Sequence, residues 1–263
     1  MFSAMEARKF LEEGAVTVDT PLRPAEIAAA CEALDRLLPF RAPAPGEKPR
    51  YRVTLTCSYE EPALLRIIQH PFFETVAQIA LDAAAVRFYQ TAIVTAYPQP
   101  DTPWSFEQHV DIQYCLSDFQ AAPLRIICSF FLWLTDVNPR RAPMMFRPGS
   151  HLLLAAENER RGAGPDEVRT VRPMPLARLP LLPYADPVPL LARAGQVSVL
   201  TTSAVHGASV NVDDAPRQGM VITFVADGVR IGLPPDQEEQ KRRYDAALRQ
   251  ALPPERRHII EEE

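Results

Sequence analysis

The spacing of apolar positions along the 263 residues changes character near residue 85. Before that point the spacing is mostly helical. Residues 5–13 read as a short helix and Ala15–Val18 as a small strand. Ile27, Cys31, Leu34, Leu37 and Leu38 then mark one face of a helix over Ala25–Leu38, with Pro24 suited to its first turn. Residues 39–50 are a Pro-rich loop, and Glu60–Gln69 and Pro71–Ala84 read as two further helices. From Val86 onward the pattern is that of strands. Val86–Tyr97, Gln108–Leu116, Leu124–Val137, Met144–Arg147, Val197–Thr202, Ala208–Val212 and Gly219–Ala226 are β-prone runs with turn residues between them. Leu124–Val137 is almost continuously apolar and is expected to be buried on both faces. A charged helix, Pro235–Leu252, follows with Tyr244, Leu248 and Leu252 on one side, and Arg256–Glu263 reads as a solvated, frayed end.

Short strands after a helical beginning predict a mainly β fold with flanking helices, a double-sheet jelly-roll barrel braced by N-terminal helices. One domain is expected over 1–263: a helical brace at 1–84, a barrel at 86–227 and a helical tail at 235–263. Residues 165–194 break the rhythm. Pro165, Pro173, Pro175, Pro180, Pro183, Pro187 and Pro189 alternate there with leucines and arginines. A loop of this length reads as an active-site lid, with an ordinary surface excursion as the alternative.

Composition removes several function classes. The hydrophobic share of 47% supports a large core, and 27 prolines against 10 glycines point to rigid turns rather than flexible linkers. A net charge of -5 without a basic run argues against a nucleic-acid partner. There is no signal-like opening and no membrane-length apolar stretch, so a cytoplasmic protein without a membrane partner is expected. The cysteines, Cys31, Cys57, Cys115 and Cys128, have no CxxC spacing and suggest neither a zinc site nor a disulfide framework.

Candidate chemistry centres on His109 and Asp111. Two residues apart on a strand, they share a face and can aim an imidazole nitrogen and a carboxylate oxygen at one point. Together with one more histidine they would complete a facial triad of the kind that holds non-haem Fe(II). His206 ends a later strand-like run, and Arg217 follows at the head of another. A guanidinium grips a carboxylate in a fork that lysine cannot reproduce. His151 and Arg147 read as loop-fixing residues, His70 and His258 as solvated or capping, and Gln90 as facing solvent, with reach into the pocket as its alternative. Trp104 and Phe106 read as either substrate-mouth or core aromatics.

In order along the chain stand the opening Phe10–Val18, His109-Val-Asp111, Leu124–Asn138, Met145-Phe-Arg-Pro-Gly-Ser-His151, His206-Gly-Ala-Ser-Val-Asn211 and Arg217. This series resembles the phytanoyl-CoA dioxygenase family of Fe(II)/2-oxoglutarate-dependent oxygenases. The resemblance implies a cupin-like double-stranded β-helix with Fe(II) on His109, Asp111 and His206. It implies 2-oxoglutarate as cosubstrate, its far carboxylate on Arg217, with O2 and a small molecule as the other substrates. Hydroxylation, with release of succinate and CO2, is the implied reaction. The Asp111 ligand favours hydroxylation, desaturation or rearrangement over halogenation. The family often has Ser two positions after the distal histidine; here Ala208 holds that place and Ser209 follows, so either the turn presents Ser209 to the cosubstrate or that bond is missing. The aromatic that lines the family's cosubstrate pocket falls at Phe130, and Tyr97 stands where a lysine is frequent. Leucines at 172–192 suggest an apolar substrate. Against these stand a non-catalytic jelly-roll that binds a ligand or partner protein, and a metal-dependent hydrolase or isomerase.

Overall fold

The computed structural model describes residues 2–44, 46–99, 101–164 and 169–260. Helix α1 (Ala4–Glu13) opens on a reciprocal cap: the Ser3 hydroxyl accepts from the Glu6 amide at 3.2 Å, and the Glu6 carboxylate accepts from the Ser3 amide at 2.6 Å. It stops at Gly14, whose φ of +92° turns the chain directly into β1 (Ala15–Val18). Helices α2 (Pro24–Leu37), α3 (Pro62–Ile68) and α4 (Pro71–Ala80) each begin on a proline, where the missing N–H costs nothing. Leu34, Leu64, Ile68 and Phe73 bury their inner faces in one large cluster.

The remaining strands are β2 (Arg52–Thr56), β3 (Val86–Ala96), β4 (His109–Val110), β5 (Ile127–Trp133), β6 (Met144–Phe146), β7 (Met174–Pro175), β8 (Val188–Leu190), β9 (Val197–Leu200), β10 (His206–Ala208) and β11 (Arg217–Ala226). They form two antiparallel sheets, β1-β9-β5-β11-β3-β2 and β7-β4-β10-β6-β8. This is the jelly-roll arrangement of two facing sheets, without closure into a barrel. Alternation along the large sheet decides which side chains can reach the site. Phe130, Leu132, Met220, Ile222 and Phe224 face the helices. Trp133 and Leu200 face the small sheet and pack against its Met144, Phe146 and Leu190.

Several elements differ from the sequence-based expectation. The strand expected over Gln108–Leu116 pairs only at His109–Val110; the chain then turns into α5 (Leu116–Phe119), where the Asp118 carboxylate caps the Cys115 amide at 3.0 Å. The strand expected at Ala208–Val212 lies at His206–Ala208, with only isolated bridges after it. The run Leu124–Val137 is a strand only over Ile127–Trp133. The brace contributes β1 and the unexpected β2 to the two edges of the large sheet. Helix α6 (Ser150–Arg160) was also unexpected, because most of its buried face is polar: Ser150, His151, Glu157 and Asn158, against Leu154 and Ala155.

The proline-rich loop is placed differently from a lid over the site. Its first four residues, 165–168, lie outside the described residues. From there β7 adds to β4, and Leu179 packs with Val110, Leu154 and Val205. Val110 and Val205 point away from the neighbouring His109 and His206, so Leu176, Leu179 and Leu182 buttress the back of the metal-bearing strands. The C-terminal helix α7 (Pro235–Ala251) forms as expected, with Tyr244 and Leu248 buried. The end is not frayed: a 3-10 turn over Pro254–Ile259 sinks Ile259 and Ile260 into the core, residues 261–263 lying outside the described residues. No helix among the described residues is long and apolar enough to cross a membrane.

Candidate metal centre

Strands β4 and β10 pair antiparallel with His109 directly opposite His206. Cross-strand partners share a face, so the pairing brings together two imidazoles from opposite halves of the chain. Their ring centres are 4.6 Å apart. Asp111 lies just past the end of β4, held by its amide on the Thr202 carbonyl at 3.0 Å and by its carbonyl on the Arg172 amide at 2.7 Å. Its Oδ1 is 3.2 Å from His109 Nε2, and its Oδ2 is 3.7 Å from His206 Nε2. One ligating atom from each of the three side chains lies within 4.8 Å of the others.

Gly207 makes the close pairing possible. A Cβ there would stand 1.7 Å from the Glu107 carbonyl oxygen, so no side chain fits between β10 and the approach to β4. His206 Nδ1 is 2.9 Å from the Ala204 carbonyl, which takes its N–H and leaves the Nε2 lone pair facing the cluster. Burial lowers the His206 pKa and favours the neutral imidazole that a metal requires. Burial works against the Asp111 carboxylate, but the hydrogen bond with His109 and the nearby His206, His109 and Arg52 outweigh it and hold its pKa below the usual value. Two imidazoles and one carboxylate on a single face are a donor set that fits Fe(II) with positions left open.

Arg217 begins β11 on the face that looks toward the small sheet and is 2% exposed. Its guanidinium lies 5.5 Å from the centre of the Trp133 ring, and Trp133 Nε1 donates to Ser198 Oγ at 2.9 Å. Among the described residues the Arg217 side chain makes no hydrogen bond or ion pair, and its Nε is buried without a partner. Burial and then the Arg52 charge push its pKa down to about 9. A buried cation in that position calls for an anion from outside the chain.

Two sequence-predicted contacts are not in this site. Phe130 is fully buried on the helix side of β5, edge-on to Phe73 at 5.3 Å and to Phe224 at 6.1 Å. The aromatic that touches Arg217 is Trp133, three residues on and on the opposite face. Ser209 lies on the outer side of β10 and donates its hydroxyl to the Pro143 carbonyl at 2.8 Å. Ala208 shares the face of His206, and it has no group to donate. Trp104 lies 42% exposed on the outside of the small sheet, where with Pro139, Pro143, Met145, Pro189 and Val212 it lines an apolar pocket of about 380 Å³. His151 and Arg147 do fix structure: His151 Nε2 is 2.9 Å from the Leu11 carbonyl, and Arg147 Nε donates to Gln108 Oε1 at 2.9 Å.

The sequence profile of the phytanoyl-CoA dioxygenase family matches residues 10–219, most of the chain and every residue of the cluster. The chain belongs to this family. Members of the phytanoyl-CoA dioxygenase family are Fe(II)/2-oxoglutarate-dependent enzymes, and this member holds the His/Asp/His set that such an enzyme needs. Solved structures show the same fold. The non-heme alpha-ketoglutarate-dependent carbocyclase SnoK from nogalamycin biosynthesis superposes with a TM-score of 0.68 at 22% identity, over 91% of this chain and 90% of that one. The epimerase SnoN, in complex with Fe3+, alpha-ketoglutarate and nogalamycin RO, gives 0.60 at 19% identity over 86% and 84%. EctD from S. alaskensis with 2-oxoglutarate and 5-hydroxyectoine gives 0.58 at 17% identity over 87% and 78%. No curated protein matches the chain.

Proposed function

We propose that the protein oxidises a small molecule, with hydroxylation as its reaction and 2-oxoglutarate, O2 and Fe(II) as requirements. The observation that carries this reading is the buried Arg217 without a counter-ion, on the sheet face that looks toward a His109–Asp111–His206 cluster. His109, Asp111 and His206 would hold Fe(II). Arg217 would pair with the far carboxylate of 2-oxoglutarate, with the Trp133 ring beside its guanidinium. With the metal bound, the chemistry supplied is decarboxylation of 2-oxoglutarate to succinate and CO2, coupled to oxidation of a substrate C–H bond. Neither Ser209 nor Phe130 helps hold the cosubstrate, so Arg217 carries more of that task. Leu176, Leu179 and Leu182 of the loop do not argue for an apolar substrate, because they pack behind the site.

Two structural neighbours, the carbocyclase SnoK and the epimerase SnoN, support a second outcome on the same scaffold, hydrogen abstraction followed by rearrangement. Product oxygen content separates the two outcomes once a substrate is in hand. The site itself is tested by anaerobic loading with Fe(II) and 2-oxoglutarate, where keto acid chelation gives a weak visible band. We expect the band in the wild type, its loss in His206→Ala, and at least a tenfold weaker 2-oxoglutarate affinity in Arg217→Met. Iron binding with no band would leave a metal hydrolase or isomerase. No iron binding would leave a non-catalytic ligand-binding jelly-roll.

A further inference from the structure

Strand β2 is the edge of the large sheet, and its two faces differ sharply. Val53 and Leu55 turn to the helices and pack on the core, whereas Arg52, Thr54 and Thr56 occupy the opposite face. Register fixes where that polar face points. Arg52 and Arg217 both pair with Ala96, from either side of β3. Thr54 aligns with Val94 and Gly219, and Thr56 with Ala92 and Val221. Residues in register on neighbouring strands share a face. The polar row of β2 therefore stands on the Arg217 side of the sheet. The small sheet packs over the β1, β9 and β5 end of this face, where Ala15, Leu200 and Trp133 meet Met144 and Phe146. The β2 end is left open: Arg52 and Thr54 are exposed, and Thr56, Ala92 and Gln90 are half-buried. Gln90, read from the sequence as facing solvent or reaching the pocket, stands on this same face opposite Thr223.

Arg52 has the features of a recognition group. Its charge acts on Asp111, on His206 and on Arg217, which places the guanidinium within electrostatic reach of the triad. Among the described residues it has no ion-pair or hydrogen-bond partner. It is open to solvent, yet surrounding protein disfavours its charge, as for a side chain recessed in a cleft. Charge balance then points to the occupant. Fe(II), the Asp111 carboxylate, dianionic 2-oxoglutarate and Arg217 cancel, and the positive charge of Arg52 is left over at the open side.

We propose that Arg52, with Thr54 and Thr56 beside it on β2, binds an oxyanion of the substrate, a carboxylate or a phosphate, and so sets the site's preference for acidic small molecules. The proposal rests on the oxygenase reading above for what occupies Arg217. A guanidinium takes either anion in a forked pair, and the two hydroxyls supply donors along the same row.

The test is calorimetric titration of anaerobic protein loaded with Fe(II) and 2-oxoglutarate, with benzoate, phenyl phosphate and benzyl alcohol as probes. The visible band is followed in parallel. We expect benzoate or phenyl phosphate to bind at least tenfold tighter than benzyl alcohol with the band retained; whichever acid is tighter identifies the anion. Arg52→Gln should abolish the preference and keep the band, and Arg52→Lys should restore part of it. Equal binding of acid and alcohol, no acid binding at millimolar concentration, or an unchanged preference in Arg52→Gln would each overturn the proposal. Loss of 2-oxoglutarate affinity in Arg52→Gln would also overturn it, by assigning Arg52 to the cosubstrate. A wild type that never shows the band defeats the oxygenase reading instead, and that result is read independently of the heats.

Discussion

Gly207 is the residue on which the metal cluster depends without touching it. A methyl group added there meets the Glu107 backbone at 1.7 Å, and backbone cannot swing aside as a side-chain tip can. Gly207→Ala should therefore part β10 from β4 and weaken Fe(II) binding at least tenfold while the fold survives, as measured by metal titration and circular dichroism. Wild-type affinity in that variant would show that the strands can separate without cost to the site. The ligands themselves were legible in the sequence, because His-x-Asp and a later histidine are dictated by coordination chemistry. Phe130 and Ser209 were not, because a slip of one or three residues flips a side chain to the other face of its strand, and sequence alone does not fix that parity. Phe130→Ala should accordingly cost about 3–5 kcal/mol of stability and leave 2-oxoglutarate affinity unchanged. His151 gives a pH signature. Burial drops its pKa from 6.5 to about 4, so the unfolded chain takes up a proton as pH falls through that window and the folded chain does not. Stability is thus lost on acidification, by about 2 kcal/mol at pH 5 from this group. His151→Gln should flatten the slope of unfolding free energy between pH 7 and pH 5; an equal slope would assign it to other groups.

At the scale of elements, the strands and helices with one apolar face were the easy ones. Strand β2 shows what hides an element. It is five residues long, sits on an edge, and carries arginine and threonines on the face toward the site, so its apolar content is only Val53 and Leu55. Helix α6 hides for a related reason: buried Asn158 donates to the Tyr114 carbonyl at 3.0 Å, and buried Ser150 accepts from the Val205 amide at 2.8 Å, so polar groups do work that a hydrophobic pattern would have announced. The proline-rich loop was visible as an interruption but its place was not, since leucines look alike whether they cover a cavity or back a strand. Leu179 lies against Val110, Leu154 and Val205 and is 9% exposed. Leu179→Asp should then lower the unfolding free energy by about 2–4 kcal/mol, the cost of an unpaired charge at a buried apolar contact. Thermal unfolding measures it. A variant with wild-type melting but altered substrate affinity would return the loop to the role of a lid.

At the scale of the whole molecule, the two chain ends close on the side of the large sheet away from the metal. The N-terminal helices cover the core face, and the tail completes that cover. Tyr244 of α7 packs on Tyr59 and Phe88, with ring centres 6.0 and 6.3 Å away. Beyond it Arg256 and His258 both reach Glu74 of α4, at 2.7 and 2.8 Å, and Arg87 of β3 bonds the His258 carbonyl. Ile259 and Ile260 sit under these polar ties with almost no exposure. The run Arg256-Arg-His-Ile-Ile ahead of three glutamates looks solvated in sequence, because two isoleucines among charges form no periodic pattern; only the three-dimensional meeting of tail, α4 and β3 makes them core. The family match ends at residue 219, so the tail's side of this closure, from Tyr244 to Ile260, is built from sequence outside the matched region. Its role is mechanical: it holds β3 and β11, whose other face carries the row from Arg217 to Arg52. Ile259→Ala should cost about 2–4 kcal/mol by the cavity it leaves, seen as a lower denaturant midpoint, with Fe(II) and 2-oxoglutarate affinities unchanged at low temperature. A cost near zero would mean that the tail is solvated in solution, and a selective loss of 2-oxoglutarate affinity would mean that the tail positions Arg217 through the sheet.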